Sequence, residues 1–302
     1  MRELVKSILM QEQIKFNNIK KSDSGFSNLV CFVDDLYVIK ILESNGNKTK
    51  FLNEVGFYKN ISFDFIPKYI TSGIYKETHY LIIEKLKGKP LYDIWHTLTK
   101  EERNDITKQI ALILKEFNAQ SDYSFLDQKY IRPNSIKLWQ NAFRINIDIL
   151  SKRGYDTELL TEYMNNQVPI IFKEDKLGLV YNDAHFDNFI YDVKNIKLID
   201  FDRVLYCSID YELLILTTMI NNPRKFANEA TEPFVEIKDY IDILTTLKNE
   251  YPELFDFEYL EDRLFIYSFF YMLGNAYEFD LEWLIQECVN KFRIKFYNKD
   301  SE

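Results

Sequence analysis

Two short acidic loops constrain this 302-residue chain more than any other feature: Val180-Tyr-Asn-Asp-Ala-His-Phe-Asp-Asn-Phe-Ile-Tyr-Asp192 and Ile196-Lys-Leu-Ile-Asp-Phe-Asp-Arg203. Together they hold five aspartates and one of only three histidines, and each lies beside an apolar, strand-like run. Loops held by strands are where binding and catalytic groups concentrate. Asp183 precedes Asn188 by five residues, and the apolar run 196–199 then delivers Asp200.

That order suits phosphoryl transfer. A loop aspartate orients an attacking hydroxyl and accepts its proton, while an asparagine five residues later and an aspartate on the next strand end hold magnesium. Oxygen ligands of this kind match a hard cation such as Mg²⁺. Two other readings stay open from these residues alone. The acids can be solvated turn residues, since Asp and Asn favour turns. Alternatively Asp183, His185, Asp187, Asp200 and Asp202 can gather one divalent ion for a metal-dependent hydrolase. Only the first reading demands a nucleotide-binding part upstream.

The upstream sequence offers one. Residues 1–16 read as a short amphipathic helix with Leu4, Ile8 and Leu9 on one side, followed by strand, loop, strand, a tight Asp34-Asp35 turn and a strand over 36–42. Lys40 shares a face of that strand with apolar neighbours, and a lysine so placed needs a partner. Glu54, on the helix-like run 50–58, supplies one. A strand lysine of this kind grips phosphates, and a helix glutamate fixes it. The loop before, Ser24-Gly-Phe-Ser27, has a single glycine, yet its backbone N–H groups and hydroxyls can cover phosphates, making Ser24, Gly25 and Ser27 candidates. Two more strands are expected over 66–75 and 79–86, after which Lys87-Gly-Lys-Pro90 breaks the pattern.

Asn182-Asp-Ala-His-Phe-Asp-Asn188 with Leu198-Ile-Asp-Phe201 resembles the catalytic and metal loops of the aminoglycoside phosphotransferase and choline kinase family, and Gly25-Phe-Ser-Asn28 resembles the phosphate loop of its choline-kinase-like members. The resemblance implies an α+β, two-lobed, protein-kinase-like fold: a small antiparallel-sheet lobe over 1–87 binding the nucleotide, and a larger, mainly helical catalytic and substrate-binding lobe over 88–302. It implies Asp183 as catalytic base, Asn188 and Asp200 as Mg²⁺ ligands, and Lys40 with Glu54 on the phosphates. ATP or GTP would be the co-substrate, its base meeting backbone near Glu84 and Leu86. The acceptor implied is an aminoglycoside-type hydroxyl, with choline, ethanolamine or a sugar as alternatives; a non-catalytic nucleotide-binding module is the reading from another class. Four residues depart from the family pattern: Asn118 and Tyr181 each stand for a usual His, and Asp187 and Asp202 each for a usual Gly. Tyr211-Glu-Leu213 resembles the motif whose acid supports the catalytic loop.

Downstream, Thr99-x-x-Glu102 predicts a capped helix, and further helices follow to the end of the chain. The longest apolar run, 264–273, is too short to span a bilayer and reads as a buried helix, so no membrane partner is expected. A formal charge of −9 argues against nucleic acid and favours a cationic ligand. Cys31, Cys207 and Cys288 are widely spaced and form no zinc pattern, which fits a reduced, cytoplasmic setting. Acids and aromatics from Glu253 to Trp283 are candidates for holding a cationic acceptor.

Overall fold

The computed structural model describes residues 1–22 and 28–297. Ser24, Gly25 and Ser27 therefore lie outside the described residues. Helix α1 (Arg2–Gln11) opens the chain and buries Val5, Ile8 and Leu9, three positions of one helical face. It is shorter than the expected 1–16. Gln13 takes a left-handed φ of 56°, and the Ile14 N–H donates back to the Leu9 carbonyl at 2.9 Å, which closes the helix end.

Strands β1 (Ile19–Lys21), β2 (Asn28–Val33) and β3 (Tyr37–Leu42) follow, then helix α2 (Lys48–Asn60), then strands β4 (Tyr69–Tyr75) and β5 (Thr78–Glu84). The five strands pair antiparallel in the order β1-β2-β3-β5-β4. Asp34-Asp35 and Lys76-Glu77 make the tight hairpin turns, all four residues with positive φ. Paired left-handed residues match the twist of antiparallel strands. Asp34 is steadied there because its carboxylate accepts the Asn17 N–H at 2.7 Å and the Asn18 N–H at 2.5 Å.

Strand alternation divides the sheet into two faces. Cys31, Val33, Ile39, Ile41, Tyr80 and Ile82 pack with α1 on one. On the other, Leu81 and Ile83 join Phe51, Val55 and Phe57 of α2 in a core that continues into the helical part. Lys40 is in register with Val30 and Leu81, so it stands on this second face.

Beyond the sheet come β6 (Lys89–Pro90), α3 (Leu91–Ile94), α4 (Lys100–Asn118), α5 (Ser135–Lys152), α6 (Glu158–Asn166) and α7 (Val168–Ile171). Short strands β7 (Leu177–Val180), β8 (Phe189–Tyr191), β9 (Ile196–Leu198) and β10 (Leu205–Ser208) frame the two acidic loops. Here β7 pairs with β10, while β6, β8 and β9 form a second small sheet. Helices α8 (Leu213–Asn221), α9 (Ile243–Glu250), α10 (Leu260–Glu278) and α11 (Glu282–Tyr297) complete the fold. Thr99 caps α4 as the sequence predicts: its hydroxyl accepts the Glu102 N–H at 3.2 Å, and Glu102 accepts the Thr99 N–H at 2.7 Å. Among the described residues no helix is long and apolar enough to cross a membrane.

The run 264–273 does form a buried helix, α10, but its first turns also bury an arginine that the sequence reading passed over. Arg263 is 1% exposed, with its guanidinium on Asp210 at 2.6 and 2.9 Å and on the carbonyls of Ile171 and Glu174. Phe172 and Phe257 lie against it. A charge can be buried here because its partner and nearly all its donors are satisfied.

Candidate active site

Strand β7 ends at Val180 and hands the chain to a loop that Glu212 holds from beneath. The Glu212 carboxylate, fully buried, accepts the N–H of Tyr181 at 2.7 Å and of Asn182 at 3.2 Å. Burial pushes its pKa up to about 7, against the pull of those two N–H donors. Asn182 takes a left-handed φ of 59°, a conformation asparagine tolerates. This swings Asp183 out of the strand direction.

Asp183 is tied to its own loop. One side-chain amide, that of Asn188, donates to the Asp183 carboxylate at 2.9 Å and to its backbone carbonyl at 3.0 Å. The same nitrogen lies 3.1 Å from His185 Nε2. Arg203 stands 3.5 Å from the opposite carboxylate oxygen of Asp183.

The second loop is carried alongside by the pairing of β8 with β9, extended by a bond from the Ile199 N–H to the Asn188 carbonyl at 3.0 Å. Asp200 follows at φ 66°, another left-handed residue. Its carboxylate meets Lys40 Nζ at 2.9 Å, and Lys40 is held in turn by Glu54 at 2.6 Å. Glu54 also accepts the Phe201 N–H at 3.3 Å, so helix α2, strand β3 and the second loop converge on one carboxylate. Phe201 stacks on Phe57 of α2 with ring centroids 4.2 Å apart.

The charges interlock. Burial works against the Lys40 ammonium, but Asp200 and Glu54 outweigh it and raise its pKa well above the usual lysine range. Burial lifts Glu54 to about 7, with Lys40 opposing. Burial also opposes ionisation of Asp200, yet Lys40 prevails and holds that carboxyl below its ordinary range. Asp202 is raised by burial and by Asp200 beside it; Asp187 is raised by burial and by Asp93, with His185 opposing. Neither Asp187 nor Asp93 pairs with a lysine or arginine among the described residues.

The structure therefore brings Lys40, Glu54, Asp183, Asn188 and Asp200 into one connected site. Glu84 and Leu86 sit apart from that network at the end of β5. The Glu84 N–H donates to the Lys68 carbonyl at 2.9 Å and the Lys85 N–H to the Leu36 carbonyl at 2.8 Å. Among the described residues, no group of three or more His, Cys, Asp or Glu side chains is arranged to hold a metal ion.

A model of the phosphotransferase enzyme family matches residues 18–238, a span that contains every one of these side chains. The chain belongs to this family. No curated protein matches it by sequence at a significant level. Among solved structures, it is similar to aminoglycoside phosphotransferase APH(2'')-Ib with ADP bound, at 17% identity, TM-score 0.67 and 96% coverage of each chain. It is also similar to APH(2")-IIa in a ternary complex with streptomycin and ATP, at 18% identity and TM-score 0.67, covering 96% of this chain and 95% of that one. Macrolide 2'-phosphotransferase MphH from Brachybacterium faecium matches at 11% identity and TM-score 0.59, covering 95% and 96%. At such identities the likeness establishes the fold, the kinase-like arrangement of a sheet lobe and a helical lobe.

In this phosphotransferase the downstream acids are largely spoken for. Glu253 pairs with Lys115, Asp256 with Lys176, Glu258 with Lys173, Asp262 with Lys295, and Asp280 and Glu282 with Arg153. Tyr267 is buried and donates its hydroxyl to Asp210. Most of these acids therefore already face a lysine or arginine at the surface. Arg203, which the sequence reading left without a role, lies instead beside Asp183.

Proposed function

We propose that this phosphotransferase moves the γ-phosphate of ATP or GTP to a hydroxyl of a small, cationic molecule, an aminoglycoside-type acceptor being the first choice. The observation that carries the reading is the single network joining Lys40, Glu54 and Asp200 on one side to Asp183 and Asn188 on the other. In it residues 1–87 act as the nucleotide lobe and 88–302 as the catalytic and acceptor lobe.

Asp183 is the catalytic base. Its carboxylate takes the acceptor's hydroxyl proton as that oxygen bonds to the γ-phosphorus, while the bond from phosphorus to the bridging oxygen breaks and nucleoside diphosphate leaves. Asn188 keeps the carboxylate turned toward the acceptor. Lys40, oriented by Glu54, holds the phosphates and exchanges its contact with Asp200 for them. Backbone near Glu84 and Leu86 would meet the base. The Asn188 Oδ1 and the Asp200 carboxylate are hard oxygen donors that fit Mg²⁺, and few protein ligands are needed where phosphate oxygens complete the shell. Bound there, the ion would neutralise charge on the β- and γ-phosphates. A cationic acceptor is supported by Asp93 and Asp187, two carboxylates that act on each other and pair with no lysine or arginine among the described residues, and by the −9 formal charge.

The test is nucleoside-diphosphate release with Mg²⁺ and ATP or GTP, over aminoglycosides, choline, ethanolamine and simple sugars. Turnover is expected with a polyamine-bearing acceptor. Turnover only with neutral sugars would overturn the cationic reading while leaving the reaction type intact.

A further inference from the structure

We propose that Tyr181 is a positioning residue that sets Asp200 from across the site, by a hydrogen bond from its hydroxyl to the Ile199 carbonyl; the inference rests on the phosphotransfer reading above. Tyr181 is fully buried. Its backbone N–H is fixed on Glu212, and its side chain leaves the Asp183 loop and reaches the Asp200 loop, where the hydroxyl donates to Ile199 O. The ring is walled by Phe201, edge-on at 5.5 Å, and by Phe117 at 6.1 Å.

Ile199 is thereby clamped at both ends by the first loop, its N–H on the Asn188 carbonyl and its own carbonyl under Tyr181. The clamped carbonyl belongs to the peptide that enters Asp200. Its orientation sets the φ of Asp200, which at 66° lies in the left-handed region that a non-glycine residue leaves readily unless held. One bond thus registers Asp183 and Asn188 against Asp200. Burial raises the Tyr181 hydroxyl well above its usual pKa, so it stays a neutral donor. This gives the departure at position 181 a task beyond packing.

The test compares wild type with Tyr181→Phe, which keeps the ring and its backbone bonds. Calorimetry reads nucleotide affinity with Mg²⁺ and with EDTA, steady-state kinetics read kcat and acceptor KM, and thermal unfolding checks the fold. The expected result is about tenfold weaker Mg²⁺-dependent binding and about tenfold lower kcat, the scale of one hydrogen bond holding one conformer. Metal-free nucleotide affinity and acceptor KM should stay unchanged. Equal binding by both proteins, equal weakening with and without Mg²⁺, or a variant that no longer folds would each overturn the assignment. Absence of Mg²⁺–nucleotide binding in the wild type would instead bring down the phosphotransfer reading, and this inference with it.

Discussion

Asp183 keeps its orientation through the Asn188 amide on its own loop and Arg203 beside it, while its backbone is held by other groups, so its chemistry and its scaffold can be separated by mutation. Asp183→Ala should lower kcat by roughly 10³-fold or more while nucleotide affinity holds, since the carboxylate acts only as the proton leaves. Steady-state kinetics with a binding titration check both halves. Beneath the loop, Glu212 makes a claim about pH. Its folded pKa of about 7 lies above the ordinary glutamate value of 4.5, so the folded chain holds that proton more tightly than the unfolded one. Its contribution to stability is full below about pH 4.5 and lost as pH rises through about 7. Glu212→Gln should flatten that slope by on the order of 3 kcal/mol between these limits, read from denaturant midpoints across the range. A slope unchanged in the variant would contradict the burial account. At this scale the Lys40–Glu54 pair was legible, because a lysine on an apolar strand face must find an acid. The contact between Lys40 and Asp200, 160 residues apart, was not, since nothing local announces it. Arg203 beside Asp183 was hidden for the same reason.

Elements were legible where their ends are written in local chemistry. Thr99 and Glu102 mark the start of α4, and Thr99→Ala should cost about 1 kcal/mol and lower Tm by roughly 2 °C. The end of α1 was missed because Gln13 closes it in a left-handed conformation, where glycine or asparagine would have been the visible sign. Helix α10 was found from its apolar run, but the arginine at its start carries much of its anchoring. Arg263→Met should destabilise the fold by about 3–5 kcal/mol, because Asp210 is then buried with only Tyr267 to answer its charge. A change under 1 kcal/mol in denaturant unfolding would contradict this anchoring role.

Across the whole molecule, the sheet lobe and the helical lobe meet where Phe201 stacks on Phe57 and where Glu54 holds both Lys40 and the Phe201 N–H. The order of motifs in the sequence implied two lobes sharing one phosphate site, because each part of such a site needs the others, but not these particular contacts. The acceptor side was not legible: polar helices carry many acids, and only the folded chain reveals which of them already face a lysine or arginine. The central claim is a nucleotide site assembled from both lobes around Asp200. Its most direct measurement is Mg²⁺–ATP and Mg²⁺–GTP binding by calorimetry to wild type, Asp183→Ala and Asp200→Ala. Wild type and Asp183→Ala should bind one nucleotide with equal affinity, and Asp200→Ala at least tenfold more weakly, as expected when a charge-bearing contact to the ion is lost. Equal binding by all three proteins, or none by the wild type, would contradict it.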